Sequence, residues 1–298
     1  MDTRADRFPR PDWSGLWTSL EPLSDDERRE SWHKHGHEWL SDTAAVLGAD
    51  FRVHEVGCFW IVSNRSAGEV QRIGGLLLNA RKRILVDLEG IAADPLFSRL
   101  AVLWLENNDQ YYEYVAYFYP ESGEFGFSGG MFLRSGYPHF VFPHYDEIWQ
   151  LEHVITHELT HAFVSHLSLP LWLDEGMAVM LEEMIAGGGS FRLDPDVMED
   201  HRAFWDADKI QEFWSGESFS RSDEGRDLSY ALAQLLVVNL GHDYGKYRAF
   251  ALAANWQDAG EAAARQVFRI SLGDLVGEFL GVGTWVPEPS RWKSAVRQ

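Results

Sequence analysis

An α+β protein is expected, with a mixed β-sheet subdomain in the first half packed on a helical second half. Three observations point there. Short apolar runs rich in β-formers, Cys58 to Val62 (CFWIV) and Leu100 to Leu105 (LAVLWL), flank a stretch of helical spacing in the first half. Glycines 123, 126, 129, 130 and 136 then punctuate an aromatic stretch that ends in His139-Phe140-Val141-Phe142, a pattern of short antiparallel strands and tight turns. From Asp146 onward apolar residues recur three and four apart, as a helix requires.

The elements follow in order. Residues 1–50 hold Trp13, Trp17, Trp32 and Trp39 among charges, which marks an N-terminal extension pinned by large aromatic side chains. Residues 51–145 form the α/β part. Its first strand (CFWIV) is stopped by Ser63-Asn64-Arg65-Ser66, a helix runs from Ala67 to Arg83, and the strand LAVLWL ends at the turn-prone Glu106-Asn107-Asn108-Asp109. Edge strands come from Gly126 to Phe142. Residues 146–298 are the helical part. It opens with Ile148, Leu151, Val154, Ile155, Leu159, Ala162 and Phe163, then continues with a helix from Leu173 to Ile185 stopped by Gly187-Gly188-Gly189. Loops and short helices fill 190–227, and further helices run from Tyr230 to Leu240, Glu261 to Phe268 and Leu272 to Leu280.

Composition removes several function classes. With 298 residues and 45% hydrophobic content the chain can bury a sizeable core. Its 26 Lys and Arg stand against 46 Asp and Glu, a net charge of −20, which argues against nucleic acid and anionic lipid as partners. The longest apolar run of the second half, Ala231 to Leu240, is too short to span a bilayer, and Met1 to Pro11 lacks the apolar core of a secretory signal, so a cytoplasmic protein is expected. Cys58 is the single cysteine, so a metal site would draw on His and carboxylates.

His157-Glu158-Leu159-Thr160-His161 is an HExxH sequence inside the strongest helical pattern of the chain. Two His four residues apart project from one helix face, one turn apart, and suit a single Zn²⁺ as neutral imidazoles. Glu158, one residue after the first ligand, is placed to act on the attacking water without binding the metal, as a general base must. A third ligand is found in Trp172-Leu173-Asp174-Glu175-Gly176, where a Pro170-bearing turn returns the chain into a second helix and offers two neighbouring carboxylates.

HELTHAF followed by LPLWLDEGMA resembles the gluzincin zinc metallopeptidases, most closely the peptidase MA-like group with its WLxEG helix. The resemblance implies a zincin-like fold in which His157, His161 and Glu175 bind zinc, Glu158 is the catalytic base, and a substrate strand lies along an edge strand of the preceding sheet. It also implies that Tyr230, at the head of a later helix, donates to the tetrahedral oxyanion. The chain lacks the GxMEN motif of the large aminopeptidases, and Val179 stands where thermolysin-like enzymes carry an acidic residue that orients a zinc His. Asp174 is the nearest carboxylate for that task. The likeness is clear over about 150–185, looser over 58–145 and undetectable in 1–50.

The other candidates receive plainer assignments. His33, His35 and His37 are read as a solvated face, His153 as a cleft wall beside the ligands, His166, His139 and His144 as surface positions, and Cys58 as a buried small hydrophobe. The function expected is a zinc-dependent metallopeptidase acting on peptide or protein substrates. Its rivals are a catalytically silent zinc-stabilised scaffold and a hydrolase of non-peptide amides.

Overall fold

The computed structural model describes residues 7–94, 98–118, 129–134, 136–187 and 195–293. Two compact units emerge, one of residues 1–83 and 94–159, the other of residues 84–93 and 160–298. The division falls between Leu159 and Thr160, inside a continuous helix. The architecture is α+β, with a mixed sheet in the N-terminal half and a helical C-terminal part.

In the first unit, helices α1 (Trp13–Leu20) and α2 (Asp25–Leu47) precede a sheet of β1 (Arg52–Val56), β2 (Phe59–Ser63), β3 (Leu100–Trp104), β4 (Met131–Leu133) and β5 (His139–Phe142). Helices α3 (Ala67–Asp87), α4 (Asn108–Phe118) and α5 (Ile148–Val164) complete the order. Among the described residues the strand order is β1-β2-β3-β5-β4; β2, β3 and β5 are parallel, while β1 and β4 are antiparallel to their neighbours. The parallel strands are buried on both faces, which is why they read as unbroken apolar runs.

Trp60, Val62, Ala101, Leu103 and Val141 join a core with Trp32, Trp39 and Leu40 of α2 and Tyr111 and Tyr114 of α4. The N-terminal tryptophans converge on Tyr137: Trp32 stacks on it at 5.6 Å, Trp39 at 5.8 Å, and Trp13 leans on all three. Each such aromatic pair adds about 0.5–1.5 kcal/mol beyond the area it buries.

Several expectations change here. The N-terminal stretch is largely the helix α2, opened by a reciprocal cap in which Ser24 and Glu27 satisfy one another's backbone N–H groups. Asn107-Asn108-Asp109 starts α4 as well as ending β3, because Asn107 Oδ1 accepts the Gln110 N–H at 2.9 Å; residues that favour turns also cap helices. Cys58 is half-buried in the two-residue turn between β1 and β2, and its thiol pKa is raised by that burial. His33 and His37 lie against the Trp60 ring, centroids 4.5 and 5.5 Å away, where a wholly solvated face had been expected. Residues 126–128 of the expected edge-strand segment and Gly188-Gly189 lie outside the described residues.

The second unit holds α6 (Leu171–Ile185), α7 (Pro195–Phe204), α8 (Lys209–Ser215), α9 (Gly225–Leu240), α10 (Tyr244–Ala253), α11 (Glu261–Val267) and α12 (Leu272–Leu280). Trp172 is fully buried at its centre, in ring contact with Phe213, Trp214 and Phe250, and its indole N–H reaches Ala259 O at 2.9 Å. Helix α9 begins five residues before Tyr230, since its first turn, GRDLS, is too polar to show apolar periodicity. No helix among the described residues is long and apolar enough to cross a membrane.

Candidate metal centre

Helix α5 carries HExxH because its core positions are spaced to be buried. Leu151, Ile155, Leu159, Ala162 and Phe163 are all at most 1% exposed, which leaves His157 and His161 together on another face. Helix α6 supplies the rest. Four residues of its WLDEG opening shape the site. Trp172 anchors the helix start, and Gly176 admits α9: a Cβ there would lie 2.6 Å from the Ala233 carbonyl oxygen. Asp174 and Glu175, between them, both address His161.

Ligand atoms of His157, His161 and Glu175 all lie within 4.8 Å of one another. Asp174 Oδ1 stands 2.9 Å from His161 Nδ1, while Glu175 Oε2 stands 3.6 Å from His161 Nε2. A carboxylate accepts and does not donate when ionised, so Asp174 draws the imidazole proton to Nδ1 and turns the Nε2 lone pair toward Glu175 and His157. Asp174, and not Val179, is the residue that meets His161 Nδ1. His161, Asp174 and Glu175 are 6%, 8% and 5% exposed, and two carboxylates so far from water need a compensating positive charge.

The donor set fits zinc. Two imidazoles and one carboxylate are ordinary zinc ligands, and two ligand atoms each about 2.0–2.2 Å from a tetrahedral zinc lie roughly 3.3–3.6 Å apart. The 3.6 Å between Nε2 and Oε2 matches that edge.

Glu158 is rotated off the ligand face by its one-residue step along the helix and stands outside the metal-binding group. Its Oε2 accepts the backbone N–H of Phe132, in β4, at 2.8 Å. Tyr145 adjoins this arrangement and was not singled out by sequence reasoning. Its hydroxyl donates to Gly129 O just before β4, and burial together with the Glu158 charge pushes its pKa up to about 12. The only sequence trace of it is a tyrosine shortly before the metal helix.

Tyr230 is half-buried on α9, its ring edge-on to Phe219 at 5.2 Å, one turn before the Ala233 that faces Gly176. His153 packs its ring edge-on to Trp149 at 6.1 Å, and His166 is exposed. His139 corrects its surface assignment: it is 1% exposed in β5, with Nε2 at 2.9 Å from the Tyr114 hydroxyl and Nδ1 at 2.7 Å from Tyr137 O. Its place in β5, every residue of which is buried, decides its burial, and not its loop-like neighbours Gly136 and Pro138. Burial depresses its pKa to about 4. His144 is half-buried beside the Trp104 ring.

Fold and site together define an α+β protein with a His₂-carboxylate candidate metal centre on two helices. No family model and no curated protein matches the chain.

Proposed function

We propose that this protein is a zinc-dependent peptidase that hydrolyses peptide bonds. What carries the reading is the division of labour among three neighbouring acids: Glu175 beside Nε2 of His161, Asp174 on its Nδ1, and Glu158 apart from both and turned toward a strand edge. A purely structural metal site has no use for the third.

His157, His161 and Glu175 would hold the metal. When bound, zinc supplies a Lewis acid that makes water nucleophilic near neutral pH and polarises the scissile carbonyl. Asp174 keeps His161 in the tautomer that presents Nε2. Glu158 takes the proton of the attacking water and passes it to the leaving amine, a transfer worth about 10²–10⁴-fold in rate. Tyr230 is the proposed donor to the oxyanion.

Metal analysis and cleavage assays test this directly. Purified protein should contain one zinc per chain, and Glu158→Gln should retain that zinc while losing hydrolysis of a peptide library by at least about 10²-fold. Absence of stoichiometric zinc, or full activity in Glu158→Gln, would falsify the reading.

A further inference from the structure

Three buried nitrogen atoms without a hydrogen-bond partner gather at the carboxyl end of the parallel strands of the first unit. Trp104 closes β3; it is 5% exposed, and its indole Nε1 is one of the three. Arg65, two residues beyond β2, holds its guanidinium carbon 5.8 Å from the centre of the Trp104 ring, and His144, two residues beyond β5, holds its imidazole 6.5 Å from that ring. Arg65 Nε and His144 Nδ1 are the other two. Strands β2, β3 and β5 are neighbours, so the segments that follow them emerge side by side, at the end of the sheet outside which ligands bind in open parallel sheets.

A buried donor left unpaired forfeits its whole desolvation free energy, so a group of them calls for an acceptor from outside the chain. The flanking side chains do not supply one. Glu69 Oε2 accepts the Ser66 N–H at 3.0 Å and its hydroxyl at 2.6 Å, capping α3, and Asn107 is used to cap α4. Arg65 gives Nη2 to the Glu106 backbone oxygen at 3.1 Å, a neutral acceptor. Asp146 Oδ1 lies 3.9 Å from His144 Nε2, beyond hydrogen-bond reach and on the other ring nitrogen, so Nδ1 is free to carry a proton. Indole only donates, guanidinium keeps its charge at any physiological pH, and imidazole can donate from Nδ1. Donors around one fixed positive charge select an oxyanion of one negative charge. A carboxylate has the planar pair of oxygens that a guanidinium edge matches, whereas a doubly charged phosphate would leave an excess negative charge in a protein already at −20.

We infer that Arg65, Trp104 and His144 form a carboxylate-binding site, with Trp104 as its floor and the half-buried Arg65 and His144 as its rim. Its ligand is the C-terminal carboxylate of a peptide or a free monocarboxylic acid. The site uses neither the candidate metal ligands nor Glu158, so it goes beyond the peptidase reading and does not rest on it.

Nuclear magnetic resonance titration of the full-length protein tests this, with the Trp104 indole N–H identified by its loss in Trp104→Phe. Acetate and N-acetylalanine, added at constant ionic strength, should each move that resonance downfield to saturation, and N-acetylalanine amide should not. Arg65→Gln should weaken both carboxylates about 10–100-fold, and Arg65→Lys, which keeps the charge and loses the Nε–H, should fall between. Should Arg65→Gln fail to fold, Arg65→Lys carries the comparison. Binding of N-acetylalanine at least about 10-fold tighter than acetate supports the site with a peptide C-terminus as its source, and equal affinity supports it with a free carboxylate. Absence of a saturable shift, an equal shift with the amide, or wild-type affinity in the Arg65 variants overturns the inference and leaves the three nitrogens merely hydrated. Displacement of both carboxylates by an equal concentration of inorganic phosphate overturns the choice of a monoanion. Zinc content and the Glu158→Gln result enter none of these comparisons, so this inference and the peptidase reading fail separately.

Discussion

The Asp174 side chain makes a hydrogen bond to His161 Nδ1 on which the proposed zinc site would depend. Asp174→Ala should lower zinc affinity about 10–100-fold, measured by competition with a chromogenic chelator, with the helical circular dichroism unchanged. A loss of affinity no larger than that of a nearby surface mutant would remove its orienting role. Glu175 and His161 differ from it in kind, since deleting either removes a candidate ligand and leaves a buried partner without its charge complement.

At the level of elements, the closest constraint is the crossing of α6 and α9. Gly176 faces both Ala233 O and the Val237 side chain, so Gly176→Ala pushes a methyl group into backbone that has no rotamer to change. Overpacking of this kind costs about 1–3 kcal/mol, and urea denaturation of the variant should show it as a lower midpoint with an unaltered slope. Zinc affinity should fall as well, because Glu175 is the preceding residue. Helix α5 shows the same economy: one face is spent on the core, and what remains is a face on which two imidazoles align.

For the whole molecule, stability should depend on pH and, through the proposed centre, on metal. His139 titrates near 4 when folded and near 6.5 when unfolded, so between those values the unfolded chain binds the extra proton. Its contribution is complete above pH 6.5 and is lost as pH falls toward 4, an amount of about 3 kcal/mol. His33, also depressed by burial and by Arg99, acts in the same direction. Denaturant midpoints of the wild type and His139→Gln compared at pH 7.5 and 4.5 should show a smaller acid loss in the variant. Metal should act by mass action: saturation at about 1,000 times the dissociation constant adds about 4 kcal/mol, so chelation should lower Tm and zinc should restore it. An identical Tm with and without chelator would mean that the folded state gains nothing from the ion.

The parts of this protein that were legible in the sequence are those written in local spacing. HExxH within apolar periodicity places two imidazoles on one face whatever surrounds the helix, and WLDEG announces a second helix with a carboxylate near its start. Continuous apolar runs likewise marked β2 and β3, a glycine-punctuated aromatic stretch marked β5, and the α+β class followed from their order. Local spacing was silent where polar residues have two uses: Asn107 caps α4 although it reads as a turn, and Ser24 caps α2 within a stretch that reads as an extension. It was equally silent on contacts between segments far apart in the chain. Which of two adjacent carboxylates turns to Nδ1 of His161 and which to Nε2, what covers His139 in β5, and which backbone N–H meets Glu158 all depend on helix rotation and strand register. Those are set by the packing of whole elements, and only the tertiary structure decides them.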